Sequence, residues 1–213
     1  MSADLMQPNS TWRSYYRSTS DRPPRETLCF ALDRFDAEAE AGSRQLDRFA
    51  IDLGCGGGRD TIELLRREWR VLAVDAETDA IDSLRSRPDL PDGYRLQTRV
   101  ARFEDAALPN ASLINSSFAL PLCPPETFAG LWSRIVEALP SGGRFAGQLF
   151  GDRDSWADAA SGKGGITFLT RSRLEALLAG LTIELFREEE DESTTPRGET
   201  KHWHLYHVVA RKP

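Results

Sequence analysis

The chain has 213 residues, of which 40% are hydrophobic and 28% charged, and a formal net charge of −6. This length and composition predict a soluble protein of one domain, residues 1–213, with a full hydrophobic core. The acidic balance argues against nucleic acid or an anionic membrane as a partner. The three cysteines are scattered and form no CxxC pair, which argues against a disulfide framework or a zinc site. With no apolar run of membrane-spanning length and no N-terminal signal core, we expect a cytoplasmic protein.

Residues 1–40 combine a polar segment, which contains the aromatic stretch WRSYY, with an amphipathic pattern that predicts a helix. Pro23 and Pro24 favour the start of that helix, and apolar residues at helical spacing mark its buried face. Two interpretations of the aromatic segment are open. It is either an arm packed on the surface or a lid over a ligand cleft.

From residue 48 onward, apolar runs alternate with helical patterns. Strands are predicted at 48–53, 70–75, 94–100, 111–118 and 144–150, and helices at 61–69, 76–87 and 126–139. Strands that alternate with helices form a parallel sheet with helices on both faces.

The C-terminal part follows a different pattern, because two strand-like segments, 181–190 and 201–212, have no helix between them. They should pair antiparallel across the polar segment 191–200, with the acidic run 187–192 at a solvated loop edge. A short helix over 170–180, capped by Thr170, precedes them. The sequence therefore predicts a Rossmann-like α/β fold in residues 48–213. Its seven-stranded, mostly parallel sheet would end in an antiparallel strand.

The stretch AIDLGCGGGRD places a glycine turn between a strand and a helix, where backbone can approach a ligand closely. The dinucleotide fingerprint GxGxxG would require a glycine at position 59, where this chain has arginine. A P-loop is excluded because no Gly-Lys-Ser/Thr follows. The spacing is instead DxGxGxG, and the aspartate before the first glycine suits a ligand that carries an ammonium group.

The second predicted strand ends in Asp75, 23 residues after Asp52. An acid at this point can accept hydrogen bonds from both hydroxyls of a ribose. The alternative is an N-terminal acid for the next helix, a role that suits Glu77 or Asp79 better.

These motifs, together with VLAVDAE, LPSGGRF and the closing hairpin, resemble the class I methyltransferases that use S-adenosylmethionine. The resemblance covers about residues 12–213. Within that family, the short chain and the aromatic arm are most similar to the small-molecule, tellurite-resistance-type branch. The resemblance implies S-adenosylmethionine as the cofactor and a small molecule as the methyl acceptor.

The resemblance also implies which residues bind the donor. Those expected along its methionine and ribose portions are Asp52, Gly54, Cys55, Gly56, Gly58, Asp75 and Asn115. Those expected at the adenine are Ala76, Phe103 and Glu104, because Arg102 stands where the family usually has an acid. The aromatic segment then favours the lid, with Trp12 and Tyr16 over the donor and Arg25 reaching its carboxylate.

Methyl transfer is an in-line displacement that needs alignment and exclusion of water, and a base only where the acceptor must lose a proton. Candidate substrate contacts follow the fifth strand, where ligands of open α/β sheets bind: Asp152, Asp154 and Trp156.

All three histidines lie in the last predicted strand. His202 and His204 share one side of it and are our candidates for a general base, while Trp203 and His207 face the other side. The alternative is that His202 and His204 are simply polar residues of a half-exposed strand. For the whole chain, a catalytically silent S-adenosylmethionine-binding module and a nicotinamide dinucleotide oxidoreductase are the competing functions.

Overall fold

The computed structural model describes residues 22–43, 46–91, 95–158, 161–162, 164–195 and 198–213. In these ranges the helices are α1 (Glu26–Glu40), α2 (Arg59–Arg66), α3 (Thr78–Arg85), α4 (Pro125–Ala138) and α5 (Arg171–Leu178). The strands are β1 (Phe49–Leu53), β2 (Arg70–Asp75), β3 (Leu96–Val100), β4 (Leu113–Ser116), β5 (Arg144–Gly151), β6 (Phe168–Leu169), β7 (Thr182–Thr194) and β8 (Thr200–Arg211). No helix in the described part of the chain is long and apolar enough to cross a membrane.

The strands form one sheet in the order β3-β2-β1-β4-β5-β8-β7, with the two-residue β6 beside the end of β5. The first five strands pair in parallel, and β8 pairs antiparallel with both β5 and β7. This topology confirms the predicted Rossmann-like α/β fold, with β6 as an eighth strand that the sequence did not predict. The carboxyl ends of β1, β2, β4 and β5 lie at one edge of the sheet, and β8 begins there.

Alternate residues of the strands enter two separate cores, as period-2 alternation requires. Ile51 and Leu53 belong to the core under α4 and α5, whereas Ala50 belongs to the core under α1, α2 and α3. Helices therefore cover both faces, as predicted. We call these the α4–α5 face and the α1–α3 face.

The closing hairpin is longer than the sequence predicted. The acidic run 187–192 lies inside β7 rather than at a loop edge, so that expectation was wrong. Basic groups explain the difference, because carboxylates of this run pair with side chains across the sheet. Glu188 and Glu190 both contact Arg153, and Glu190 and Glu192 contact His202.

A buried arginine ties the hairpin to the rest of the sheet. The side chain of Arg144, at the start of β5, is fully buried; its Nε donates to Glu184 Oε2 at 2.6 Å, and its Nη1 donates to Glu38 Oε2 at 3.0 Å. These bonds join α1, β5 and β7 through one guanidinium group.

We predict that Arg144→Ala lowers the free energy of unfolding by roughly 2–4 kcal/mol, because it leaves two carboxylates without their shared cation. Arg171→Ala is the matched control, since Arg171 also bridges two glutamates but is 49% exposed. The control should cost less than about 1 kcal/mol. Urea unfolding of both variants checks this, and equal losses would contradict it.

Candidate active site

The glycine loop between β1 and α2 has a backbone that favours glycine at three positions. Gly54, Gly56 and Gly58 have φ values of +73°, +53° and +83°. A Cβ atom on Gly54 would overlap the Cβ of Ala119, and one on Gly58 would overlap the side chain of Leu84. The loop therefore presents bare backbone at the carboxyl edge of the sheet, as a close ligand approach requires.

Asp75 is held against this loop. Its Oδ2 accepts from the backbone N–H of Gly56 at 2.8 Å, and its Oδ1 accepts from that of Glu77 at 3.0 Å. Burial raises the pKa of Asp75, and the two backbone bonds oppose that rise. Each carboxylate oxygen keeps acceptor capacity for a further hydroxyl group, which fits the predicted ribose contact.

A buried cluster of Asp52, Asp60 and Asn115, the acid–amide cluster, lies beside the loop on the α1–α3 face. Asn115 Nδ2 donates to Asp52 Oδ1 at 2.9 Å and to Asp60 Oδ2 at 3.1 Å. Thr61 adds a bond to Asp52, and Ser117 adds one to Asp60. Two carboxylates thus share one amide group.

The cluster is electrostatically suited to a cation. Burial and the neighbouring Asp60 raise the pKa of Asp52. Asn115 Oδ1 is buried and has no hydrogen-bond partner among the described residues. An ammonium group placed here would relieve the repulsion between the carboxylates and could donate to that oxygen.

Asp60 was missed in the sequence analysis, although it stands in the first turn of α2 directly after the glycine loop. That position carries the signal that could have found it, because the N-terminus of this helix faces the ligand edge of the sheet. Its Oδ1 also accepts from the backbone N–H of Arg25 at 3.1 Å, which fixes the start of α1 over the cluster.

Of the residues predicted to contact adenine, Phe103 lies at the glycine loop. The ring of Phe103 lies against Gly54, and its carbonyl accepts from Arg134 Nη2 at 2.7 Å. Ala76 is exposed beyond Asp75, and Glu104 lies 3.4 Å from Arg102. Their contacts with adenine stay predictions.

Two more predicted donor contacts are placed at the same edge. Cys55 is buried in the loop, and burial raises the pKa of its thiol. The Arg25 guanidinium lies 4.1 Å from the centre of the Phe118 ring, just after β4. Trp12 and Tyr16 lie outside the described residues.

The two histidines proposed as bases are engaged elsewhere. His204 is fully buried; its Nδ1 accepts from the backbone N–H of Arg153 at 3.1 Å, and its Nε2 lies 3.0 Å from Glu188 Oε1. His202 has one carboxylate at each ring nitrogen, and these bonds raise its pKa. Strand alternation puts both on the α4–α5 face, so the structure does not bring them together with the acid–amide cluster.

The predicted substrate contacts lie at the end of β5, in different environments. Asp154 is buried and lies 2.6 Å from Lys201 Nζ, which also sits over Trp156 at 3.6 Å and Trp203 at 3.8 Å. Asp152 is exposed, 3.8 Å from His204 Nδ1. Asp154 is thus neutralised by a lysine, and Trp156 belongs to an aromatic wall.

Comparison with known proteins gives a consistent result. The family model described as "Methyltransferase domain" matches residues 50–143. A trans-aconitate 2-methyltransferase of Afipia carboxidovorans is 32% identical over 131 residues, which is 60% of this chain. The chain spans 44% of the length of that relative.

Solved structures share the fold. TehB from Haemophilus influenzae has a TM-score of 0.66 and 18% identity, covering 85% of this chain and 62% of TehB. Magnesium protoporphyrin IX methyltransferase from Synechocystis, crystallised with S-adenosylmethionine, has a TM-score of 0.63 and 13% identity, covering 96% and 93%.

We predict that Asp75→Ala weakens binding of S-adenosylhomocysteine roughly ten- to a hundredfold, because a charge-assisted hydrogen bond of this kind contributes about 1.5–3 kcal/mol. Asp82→Ala, on the exposed side of α3, is the control and should bind normally. Calorimetric titration measures both. Unchanged affinity in Asp75→Ala would remove this residue from the site.

Gly54→Ala should weaken the same binding at least tenfold and also reduce stability, because it combines a positive φ with a clash against Ala119. Gly130→Ala is the control, since a Cβ there meets nothing within 4 Å in the middle of α4. That variant should bind normally and be up to about 1 kcal/mol more stable. Thermal unfolding and titration of both variants test the pair of expectations.

Proposed function

We propose that this chain, whose residues 50–143 match a methyltransferase domain, transfers a methyl group from S-adenosylmethionine to a small-molecule acceptor. The observation that carries the proposal is the junction of glycine loop, Asp75 and acid–amide cluster at one edge of the sheet. A ligand with a ribose and an ammonium group matches all three features.

When bound, S-adenosylmethionine supplies a methyl group activated by its sulfonium centre. The chain's own residues would bind and orient this donor. Asp75 would hold the ribose hydroxyls, and Asp52, Asp60 and Asn115 would hold the methionine ammonium. Arg25, fixed over Phe118 and bonded through its backbone to Asp60, is suited to the methionine carboxylate. Electrostatic pairing of this kind aligns the donor without any proton transfer.

Two facts support a small-molecule acceptor. The net charge of −6 disfavours a polyanionic substrate such as nucleic acid. A relative that shares 32% identity is named for its action on trans-aconitate, a small organic acid. We also propose that the aromatic segment before α1 acts as a lid, with Trp12 and Tyr16 closing over the donor to exclude water.

The proposal is tested with the purified full chain and S-adenosylmethionine carrying a labelled methyl group. The acceptors are trans-aconitate for a carboxylate, catechol for a hydroxyl, aniline for an amine and 2-mercaptoethanol for a thiol. A small-molecule fraction of a cell extract is added, with bulk RNA, DNA and protein in separate reactions. We expect labelled product from small molecules only, and much less of it from Asp75→Ala at limiting donor concentration.

Three outcomes contradict the proposal in different ways. Label found only in protein or nucleic acid would overturn the acceptor class. Donor binding by calorimetry without any labelled product would favour a silent binding module. Tight binding of a nicotinamide dinucleotide without S-adenosylmethionine binding would overturn the donor.

A further inference from the structure

The third histidine, His207, lies on the α1–α3 face of the sheet, on the side where the acid–amide cluster lies. It stands opposite Gln148 of β5 in the register of the sheet. Its ring centre is 6.5 Å from that of Phe118, the residue that follows the donor-side end of β4 and contacts Arg25. Unlike His202 and His204, His207 therefore lies on the same face as the acid–amide cluster, beside Phe118.

A carboxylate faces one nitrogen of this histidine. His207 Nε2 lies 3.1 Å from Glu189 Oε2, and the histidine is only 7% exposed. The two atoms are close enough for an ion pair but are not aligned for a hydrogen bond. With the proton on Nε2, on the carboxylate side, Nδ1 is left as the basic nitrogen. A histidine oriented by a carboxylate is a common arrangement for a general base.

A second hydrogen-bond acceptor lies beside it. Gln148 is buried, and its Nε2 donates to Thr27 Oγ1 at 2.9 Å, which turns the amide oxygen away from that bond. Gln148 Oε1 is buried without a hydrogen-bond partner among the described residues. Neighbouring acceptors at Gln148 and His207 suit a ligand that donates hydrogen bonds, and a carboxylate would not satisfy them.

The remaining wall is aromatic. Phe118, Phe150 and Trp203 are packed edge to face, with ring centres 6.1–6.4 Å apart. Phe118 has a φ of +57°, a strained conformation for a residue with a side chain, and strain of this kind is concentrated at functional sites. Lys201 Nζ lies over Trp203 at 3.8 Å and over Phe150 at 5.3 Å, so a planar molecule would contact the ring faces that the lysine leaves uncovered.

We propose that the acceptor is a planar molecule with a hydroxyl group, bonded to Gln148 Oε1, and that His207 oriented by Glu189 removes the hydroxyl proton. This inference rests on the proposed function, which supplies the methyl donor. The acceptor oxygen forms a bond to the methyl carbon while the methyl–sulfur bond breaks, leaving its electron pair on sulfur. The hydroxyl proton passes to His207 Nδ1.

The charged groups around His207 set its pH dependence. Arg187 and Glu189 face it from β7, and Glu26 and Arg25 lie at the start of α1. Burial and Arg187 lower the pKa of His207, and Glu189 opposes them. The neutral, active form therefore predominates at neutral pH. The rate should rise with pH through an inflection below about 6.5, the ordinary value for imidazole.

The test compares catechol and trans-aconitate as acceptors at saturating donor, in wild type, His207→Asn and Glu189→Gln. With catechol, His207→Asn should lower kcat at least a hundredfold and remove the pH inflection. Glu189→Gln should lower kcat less and move the inflection to lower pH, because the carboxylate that raises the pKa is gone. Asp191→Asn, an exposed acid two residues further along β7, should behave as wild type.

Two readouts separate a base from a structural residue. Binding of S-adenosylhomocysteine, measured by calorimetry, should be unchanged in His207→Asn, because the proposed role of this residue concerns only the proton of the acceptor. NMR titration of the imidazole, which needs no turnover, should place the His207 pKa below 6.5 in wild type and lower still in Glu189→Gln.

Four results overturn the inference. Two concern the variants: an unchanged catechol rate and pH profile in His207→Asn, or loss of the pH inflection in His202→Asn and not in His207→Asn. The other two concern the wild type: methylation of trans-aconitate but not of catechol, or methylation of only the amine or the thiol. In each of these the proposed function stands. A wild type that methylates no small molecule overturns both.

Discussion

The site depends on a single amide, Asn115 Nδ2, which holds two buried carboxylates at once. Asp52 comes from β1 and Asp60 from α2, so the amide fixes the strand, the helix and the glycine loop between them. Asp60 in turn accepts from the backbone N–H of Arg25, which positions the start of α1. Without this contact, the glycine loop, the carboxyl edge of the sheet and the start of α1 would not be held in fixed positions relative to one another.

The position of α1 then decides which side of the hairpin belongs to the site. Thr27 of α1 bonds Gln148 of β5 across 121 positions of sequence. This places the helix over the face that carries Gln148 and His207, and leaves His202 and His204 on the opposite face. The acidic residues of β7 serve both faces, since Glu188 contacts His204 and Glu189 contacts His207.

The sequence predicted what is encoded locally. The fold, the glycine turn, the Thr170 cap and the division of the histidines between two faces follow from spacing and alternation, and the structure confirms them. It could not predict which histidines share a face with the acid–amide cluster, because that depends on how β8 pairs with β5. It also placed the run 187–192 in a loop, because the arginine and histidine partners that stabilise it in β7 come from elsewhere in the chain.

Unfavourable features are concentrated where the ligands are expected. The pKa of Asp52 is raised by burial and by Asp60, so ionising it costs folding free energy as the pH rises. Phe118 is strained, and the amide oxygens of Asn115 and Gln148 are buried without partners among the described residues. Elsewhere a buried charge such as Arg144 is fully paired. A cation beside Asp52 and a hydroxyl group beside Gln148 would satisfy these groups. The folding free energy that these groups cost in the free protein would then favour ligand binding.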